Sequence, residues 1–242
     1  MRVLAIDTSN QTMSVAVKEG EFVVGELTTH IKRNHSERLM PAIENLMNEV
    51  GWTPSSLDRI AVAQGPGSYT GLRIGVTVAK TLAWTLQKEL VGVSSLEALA
   101  ANRMGSPHLL IPVFDARRGN IYTGLYKTDK KGQGVESLLP DRHIEAAEWV
   151  EQLASREGTF ELIGPDSLQY EELFHNILAD RLKMAPLKDM LPSAGVLAGL
   201  VEKKKPVEIH TFTPIYLKLA EAEEKWQEKH PDEVGGDYIE KY

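Results

Sequence analysis

The residues best suited to binding a ligand lie in a glycine-rich segment, residues 65–75, which reads GPGSYTGLRIG. The segment follows a short apolar run at 60–63 and precedes a helical pattern that reaches about Leu86. Backbone N–H groups at a helix start have no partner inside the helix, and the helix dipole favours an anion nearby. The segment therefore predicts either a phosphate site or a tight turn before a packing helix. It lacks the lysine of a P-loop, and Ser68 is better suited to cap the helix than to act as a nucleophile.

A second polar group, Asp7, Thr8 and Ser9, ends the first apolar strand. At this position Asp7 could orient a metal-bound water, and the hydroxyls of Thr8 and Ser9 could donate to a phosphate. The turn has no glycine, however, that would let its backbone approach a phosphate closely. We therefore favour a strand-end turn that is held by a hydrogen bond from the aspartate side chain to the backbone.

The second half of the chain offers Arg117 and Arg118, which follow a strand that ends in Asp115. Guanidinium groups at this place suit an anion, and they equally suit an ion pair between domains or subunits. Metal binding has less support, because no two of the seven histidines are spaced three or four residues apart. The histidines are expected to be ordinary surface or core residues, and no metal site is predicted.

The two halves of the chain repeat one order of elements. The strand ending in Asp7 and its polar turn recur at Asp115, and residues 63–68 recur as residues 162–167, with Gly-Pro at the same place. Strand-strand-strand-helix-strand-helix, used twice, is the plan of actin, the sugar kinases and the Hsp70 ATPase domain. The predicted fold class is therefore a duplicated α/β fold of that type, with two lobes. In that class the cleft between the halves holds nucleotide phosphates, and the turn after the first strand of each half contacts them.

The pattern predicts an N-terminal lobe at 1–104, a C-terminal lobe at 105–220 and a charged, partly disordered tail at 221–242. Predicted strands are residues 2–7, 12–18, 21–29, 60–64, 90–93, 109–115, 120–127 and 160–163, with one more near 136–138. Predicted helices are residues 36–50, 70–87, 95–103, 145–156, 170–178 and 194–204. The helix at 194–204 is expected to pack back on the N-terminal lobe.

Small residues recur at every fourth position along the helix predicted at 70–87. The row comprises Gly71, Gly75, Ala79 and Ala83, and the apolar residues Ile74, Val78 and Leu82 lie on the opposing side. Such a row lets another backbone approach closely, which leaves two alternatives open, the chain's own sheet and a partner protein. A helix that is apolar nearly all round is usually buried on more than one side.

The helix predicted at 36–50 also has more than one apolar line. The first stripe comprises Leu39, Ile43, Leu46 and Val50, and Met40 and Met47 form a second line beside it. One stripe is needed for the core, whereas a second stripe needs another neighbour, and methionine adapts well to binding surfaces. We therefore predict that both helices contact a partner protein.

Composition and charge restrict the function further. The 242 residues carry a formal net charge of −7, so any contact with RNA would need a local basic patch or a basic partner. The absence of cysteine excludes disulfides, thiolate metal sites and cysteine nucleophiles. The apolar run near the start is too short for a signal peptide or a membrane span, so we expect a cytoplasmic protein without membrane contact.

Four segments together resemble the TsaB family, which is also called YeaZ. They are VLAIDTS at 3–9, the glycine-rich segment at 65–75, PVFDARR at 112–118 and PIYL at 214–217. The resemblance covers nearly the whole chain and implies an actin-like fold. It also implies a non-catalytic partner of TsaD, the enzyme that transfers a threonylcarbamoyl group from threonylcarbamoyl-adenylate to the adenosine next to the anticodon. The tRNAs concerned read codons that start with adenine.

The resemblance also implies partners and a docking surface. A TsaD-like protein binds the helices at 36–50 and 70–87, the same surface pairs with itself in a homodimer, and an ATPase, TsaE, joins the larger complex. tRNA is contacted only indirectly. No cofactor is expected in the isolated protein, although the resemblance allows a nucleotide at the partner interface. The expected partner contacts are Leu39, Met40, Ile43, Met47, Gly71, Ile74, Gly75, Val78 and Leu82.

The resemblance further implies that the ancestral site is degenerate. TsaD-like chains carry a metal-binding His-x-x-x-His after the helix that matches 70–87, and here Ser95 and Leu99 stand at those two positions. Residues 115–119, DARRG, replace a Gly-Gly-His phosphate loop. Two other hypotheses stay open: an independent ATPase or small-molecule kinase that uses Asp7, Thr8 and the turn at Gly65, and a metallopeptidase.

Overall fold

The structure, a computed structural model, describes residues 1–32 and 34–218. The first half of the chain contains five strands and three helices. In order they are β1 (Arg2–Asp7), β2 (Thr12–Glu19), β3 (Phe22–His30), α1 (His35–Glu49), β4 (Arg59–Gly65), α2 (Tyr69–Leu86), β5 (Glu89–Ser94) and α3 (Ser95–Ala101).

The second half repeats this order. It comprises β6 (Leu109–Asp115), β7 (Asn120–Thr128), β8 (Val135–Glu145), α4 (Ala146–Ala154), β9 (Phe160–Ile163), α5 (Glu171–Leu178), β10 (Leu182–Met184) and α6 (Ala194–Leu200). Short 3₁₀ turns at 54–56, 167–170, 179–181, 187–189 and 201–203 connect these elements.

The two sheets have the same topology. The first sheet has the order β3-β2-β1-β4-β5, and the second has the order β8-β7-β6-β9-β10. In each sheet the first three strands are antiparallel, and the fourth and fifth run parallel to the first. The prediction of a duplicated α/β fold of the actin, sugar-kinase and Hsp70 ATPase class is therefore confirmed.

Several predicted boundaries were wrong. The strand expected near 136–138 is part of the eleven-residue β8, which runs to Glu145. The next helix therefore begins at Ala146 rather than at 145. The predicted helix 95–103 ends at Ala101, and the predicted helix 194–204 gives way to a 3₁₀ turn after Leu200. The three-residue β10 was not predicted, because three residues are too few to show an alternating pattern. The tail predicted at 221–242 lies outside the described residues.

The core of the first lobe lies on both faces of its sheet. In β1, Leu4 and Ile6 pack toward α1 and α2, while Val3 and Ala5 face the opposite side, and none of the four is exposed. A central strand of a sheet that is covered on both faces needs apolar residues at every position, which is why β1 reads as a continuous apolar run.

The helices α3 and α6 connect the two lobes. Helix α6, which follows the second sheet, packs on β1, β2 and β3 of the first sheet, and α3 packs on the second sheet. The small side chains of the alanines at 5, 16, 61 and 63 let α6 pack close to the sheet. Each lobe therefore covers the sheet of the other with its last helix.

An extended segment follows α6 and runs back along the first lobe. The N–H of Val207 donates to the carbonyl of Leu90 at 2.9 Å, and the N–H of Ile215 donates to the carbonyl of Gln64 at 2.8 Å. Residues 214–217, which the resemblance singled out, thus lie at the end of β4, beside the glycine-rich turn. No helix within 1–32 and 34–218 has the length and apolar character needed to cross a membrane.

Candidate functional site

The candidate site is a cleft of about 550 Å³ between the lobes, at the carboxyl ends of the parallel strands. Four turns meet there, one after β1, one before α2, one after β6 and one after β9. The residues that line the cleft are Ser9, Asn10, Gln11, Gly67, Ser68, Tyr69, Thr70, Phe114, Asp115, Ala116, Arg117, Tyr122, Asp166, Tyr216, Leu217 and Lys218. The chain thus places Ser9 and Arg117, predicted from opposite halves, in one cavity.

Asp7 holds the turn after β1. Its Oδ1 accepts the N–H of Ser9 at 2.8 Å, which is the aspartate turn favoured from the sequence. The side chain is fully buried, and this burial raises the pKa of Asp7 above its ordinary value, against the opposing effect of the Ser9 hydrogen bond. Asp7 does not line the cleft, and its Oδ2 has no hydrogen-bond partner among the described residues.

Thr8 joins this turn to α2. Its hydroxyl donates to the carbonyl of Gly71 at 2.7 Å. A Cβ on Gly71 would lie 2.1 Å from the carbonyl oxygen of Thr8, and a Cβ on Gly75 would lie 2.3 Å from Thr8 Oγ1. The small-residue row therefore packs against the chain's own β1 turn. The expected partner contacts of Gly71 and Gly75 are corrected to internal contacts, and the expected phosphate donor, Thr8, is committed to α2.

The other expected partner contacts divide into two groups. Leu39, Ile43 and Met47 belong to the buried core of the first lobe, so their expected contact with a partner is likewise corrected to an internal one. The methionine line at 40 and 47 is therefore not a continuous surface stripe. Of the remaining expected contacts, Met40 is 45% exposed. The other three, on α2, are half-buried against the core: Ile74, Val78 and Leu82.

The turn after β6 has a strained backbone. Arg117 and Arg118 are exposed, and their backbones have positive φ values of 68° and 55°. Residues other than glycine, asparagine and aspartate seldom adopt this region. The N–H of Arg117 donates to Asp115 Oδ1 at 3.1 Å, and Tyr170 donates its hydroxyl to the same oxygen at 2.6 Å. The turn therefore places Arg117 beside the cleft, and the Asp115 side chain accepts the backbone N–H of Arg117.

Asp166 was not predicted as a site residue, although it follows the repeated Gly-Pro. Its Oδ2 accepts the N–H of Asp115 at 2.9 Å. Burial raises the pKa of Asp166, and the nearby Asp115 adds to that rise, while the hydrogen bond to the Asp115 N–H lowers it. The Asp166 carboxylate thus accepts the Asp115 N–H, which a bound anion could otherwise accept.

Several backbone N–H groups of the cleft turns already have acceptors within the chain. The N–H of Ser9 is bound by Asp7, that of Thr12 by Asn10 Oδ1 at 2.6 Å, and that of Ser68 by the carbonyl of Ser9 at 2.6 Å. In the second lobe the N–H groups of Asp115 and Arg117 are bound by carboxylates. Phosphate oxygens would have to compete with all of these acceptors.

The two positions that carry metal-binding histidines in TsaD-like chains have structural roles here. Ser95 Oγ accepts the N–H of Gly65 at 3.1 Å, which fixes the glycine-rich turn. Leu99 is buried in an apolar cluster with residues of the second sheet. Within 1–32 and 34–218 no group of three histidine, aspartate or glutamate side chains could hold a metal ion.

An aromatic cluster at the mouth of the cleft was not predicted. The rings of Tyr69 and Tyr216 lie 4.9 Å apart, and Arg73 lies over Tyr69 at 4.2 Å and donates to the Tyr216 hydroxyl at 3.1 Å. The spacing of Tyr69 and Arg73 by four residues on α2 was the only local signal. Ser68, by contrast, caps α2 as predicted, since its hydroxyl accepts the N–H of Gly71 at 3.3 Å.

Known proteins resemble this chain in sequence and in fold. A family model described as TsaD: tRNA N6-adenosine threonylcarbamoyltransferase matches residues 22–226. The chain is 42% identical over 228 residues to the tRNA threonylcarbamoyladenosine biosynthesis protein TsaB of Bacillus subtilis, a match that covers 94% of this chain and 99% of that relative. The chain belongs to the TsaB (YeaZ) branch of the TsaD family. The predicted resemblance is confirmed.

More distant relatives extend the match. The TsaB protein of Escherichia coli is 28% identical over 231 residues, which cover 90% of this chain and 95% of that protein. The solved structure of YeaZ from Pseudomonas aeruginosa has a TM-score of 0.69 at 26% identity and covers 89% of this chain and 99% of its own. A second Pseudomonas aeruginosa structure, described as similar to peptidase YEAZ, has a TM-score of 0.71 at 27% identity, and the match covers 90% of this chain and 99% of that one.

Proposed function

We propose that this chain is a non-catalytic subunit in the formation of threonylcarbamoyladenosine in tRNAs that read codons starting with adenine. It binds and supports a TsaD-like transferase in the cytoplasm. The observation that carries the proposal is that four backbone N–H groups of the cleft turns are bound by side chains of the chain itself. We expect a family member whose cleft turns are occupied in this way to contribute by contact with another protein.

The docking surface that we propose is the outer side of α1 and α2, formed by Met40, Ile74, Val78 and Leu82. The apolar side chains there retain exposed area after the core has been packed, and burying that area on a partner is favourable. The helix α2 is held firmly, because Gly71 and Gly75 lie directly on Thr8. We therefore expect the surface to be preformed in the free protein.

Other parts of the complex follow from the same proposal. A TsaE-like ATPase joins the pair, the docking surface pairs with a second copy when no transferase is bound, and tRNA is contacted through the transferase. We assign any nucleotide of the complex to the partner interface, because four backbone N–H groups of the cleft turns already have acceptors within the chain.

The direct test of the function is the threonylcarbamoyladenosine content of tRNA in cells depleted of this protein. We expect the content to fall and to recover when the wild-type chain is supplied. Normal content in depleted cells would overturn the proposal. A strain that receives a variant with charges at Met40 and Val78 should not recover, whereas a strain that receives Ile177→Glu, a comparable change on α5 of the other lobe, should recover.

One observation favours a second function, that of an independent ATPase or small-molecule kinase. The cleft has room for a small ligand, and Ser9 Oγ, which is buried at its edge, has no partner among the described residues. Calorimetry of the isolated protein with ATP and magnesium decides between the two functions. Tight binding would favour the enzyme, and absence of heat would favour the subunit.

A further inference from the structure

Two serines begin the two helices that cross between the lobes. Ser94 caps α3, and its hydroxyl accepts the N–H groups of Leu96 and Glu97, each at 3.2 Å. Ser193 caps α6, and its hydroxyl accepts the N–H of Val196 at 3.1 Å. Both serines are thus ordinary helix caps, and each retains one hydroxyl hydrogen that can be donated elsewhere.

That hydrogen goes, in both cases, to a carboxylate on the third strand of the other sheet. Ser94 donates to Asp141 Oδ2 on β8, and Ser193 donates to Glu26 Oε1 on β3 at 2.8 Å. The shared topology makes β8 the counterpart of β3 and α6 the counterpart of α3. The two contacts are therefore related by the internal duplication, although one acid is aspartate and the other is glutamate.

The surroundings of the two carboxylates share two features, although Asp141 is part-buried and Glu26 is exposed. The second strand of each sheet supplies a hydroxyl, because Tyr126 on β7 donates to Asp141 Oδ1, and Ser14 Oγ on β2 lies 3.1 Å from Glu26 Oε1. Each carboxylate lies against a glycine, where a larger residue would not fit. A Cβ on Gly124 would lie 2.9 Å from Asp141, and a Cβ on Gly195 would lie 2.7 Å from Glu26.

We propose that these clusters are a matched pair of latches that fix the angle between the lobes, one at each crossing of the chain. Each latch ties the start of a crossing helix to the sheet on which that helix packs. With both latches closed, the lobes form one rigid platform rather than a clamp that opens and closes. The inference does not depend on which partner the molecule binds.

A cap and a latch make different demands on the serine, which allows them to be separated. Aspartate caps a helix about as well as serine does, so Ser94→Asp keeps the cap but sets a second carboxylate against Asp141. Ser193→Asp does the same against Glu26. Replacing the facing acid, by Asp141→Asn or Glu26→Gln, removes the repulsion and should restore the wild-type behaviour.

Because the chain has no cysteine, spin labels can be attached cleanly at cysteines introduced for exposed Glu44 on α1 and Glu172 on α5. Electron–electron distance measurements should give a narrow distribution for the wild type. The Ser94→Asp/Ser193→Asp variant should broaden it and lower Tm by about 3–6 °C per site. Adding Asp141→Asn and Glu26→Gln should reverse both effects.

Two results would overturn the proposal. One is a distribution that stays narrow while Tm falls, which would make the clusters local packing only. The other is a broadening that the acid replacements do not reverse. If the double aspartate variant does not fold, Asp141→Ala/Glu26→Ala is measured in the same way. That variant keeps both caps and removes the acceptor of both latches, so an unchanged distance distribution in it would also contradict the proposal.

Discussion

At the residue scale, the turn after β1 shows how residues that could bind a ligand also hold the fold together. Asp7, Thr8 and Ser9 are residue types that could serve a phosphate, yet one Asp7 oxygen, the Thr8 hydroxyl and the Ser9 N–H have internal partners. Asp7 binds the N–H of Ser9, and Thr8 binds the carbonyl of Gly71. The sequence indicated the aspartate turn because the spacing is local. The contact of Thr8 with α2, 63 residues away in the chain, could not be read from spacing.

The fit between Thr8 and Gly75 gives a prediction for stability. Gly75→Ala adds a methyl group 2.3 Å from Thr8 Oγ1, so the free energy of unfolding should fall by about 1–3 kcal/mol in urea titration. The matched control is Gly199→Ala, an exposed glycine in α6 with nothing within 4 Å of its added Cβ. The control should gain up to about 1 kcal/mol from reduced freedom of the unfolded chain. Equal effects of the two changes would contradict the packing described.

The buried Asp7 gives a prediction for pH dependence. Its pKa is raised by burial, so the folded state holds the proton more tightly than the unfolded state. The stability that this group contributes is therefore complete below the ordinary aspartate pKa and is lost as pH rises through the raised value. An asparagine side chain stays neutral at every pH, so Asp7→Asn should gain stability over the wild type as pH rises from about 4 to 7. A difference that is constant with pH, measured by urea unfolding, would show that Asp7 does not titrate in this way.

At the element scale, the helices show which parts of a surface can be predicted. Helical spacing correctly placed Leu39 and Ile43 on the core side of α1, but it also joined Met40 and Met47 into one line. Spacing tells which side of a helix a residue lies on, but not where along the helix other segments cover it. Met47 lies in a core cluster with Trp52 from the turn after α1, while Met40 lies near the helix start and stays exposed.

Contacts between segments far apart in the chain could not be predicted from the sequence either. The cluster of Tyr69, Arg73 and Tyr216 joins α2 to a segment that is about 143 residues later in the chain. No local pattern in the sequence indicates such a contact. The repeat of Gly-Pro after β4 and β9, by contrast, was visible in the sequence, because duplication preserves the turn before each helix.

At the scale of the whole molecule, the duplication accounts for both the lobes and their connection. The order of strands follows from the repeated pattern, and the structure bears it out. The exchange of α3 and α6 between the sheets could not be predicted in full, because helix patterns show an apolar face but not which sheet receives it. The result is a molecule in which several backbone N–H groups of the cleft turns bond to its own side chains, and whose outer helices keep an apolar surface.

The outer side of α1 and α2 is therefore the place where we expect a TsaD-like protein to bind. The most direct test is the affinity of the purified chain for that protein, measured by calorimetry for the wild type and for Met40→Glu/Val78→Glu. Charges buried against a partner without counterions are costly, so we expect the variant to lose binding by a factor of about 100 or more. Its circular dichroism and Tm should stay close to those of Ile177→Glu, the matched control on α5, which should bind like the wild type. Unchanged affinity of a folded Met40→Glu/Val78→Glu variant would contradict the central claim.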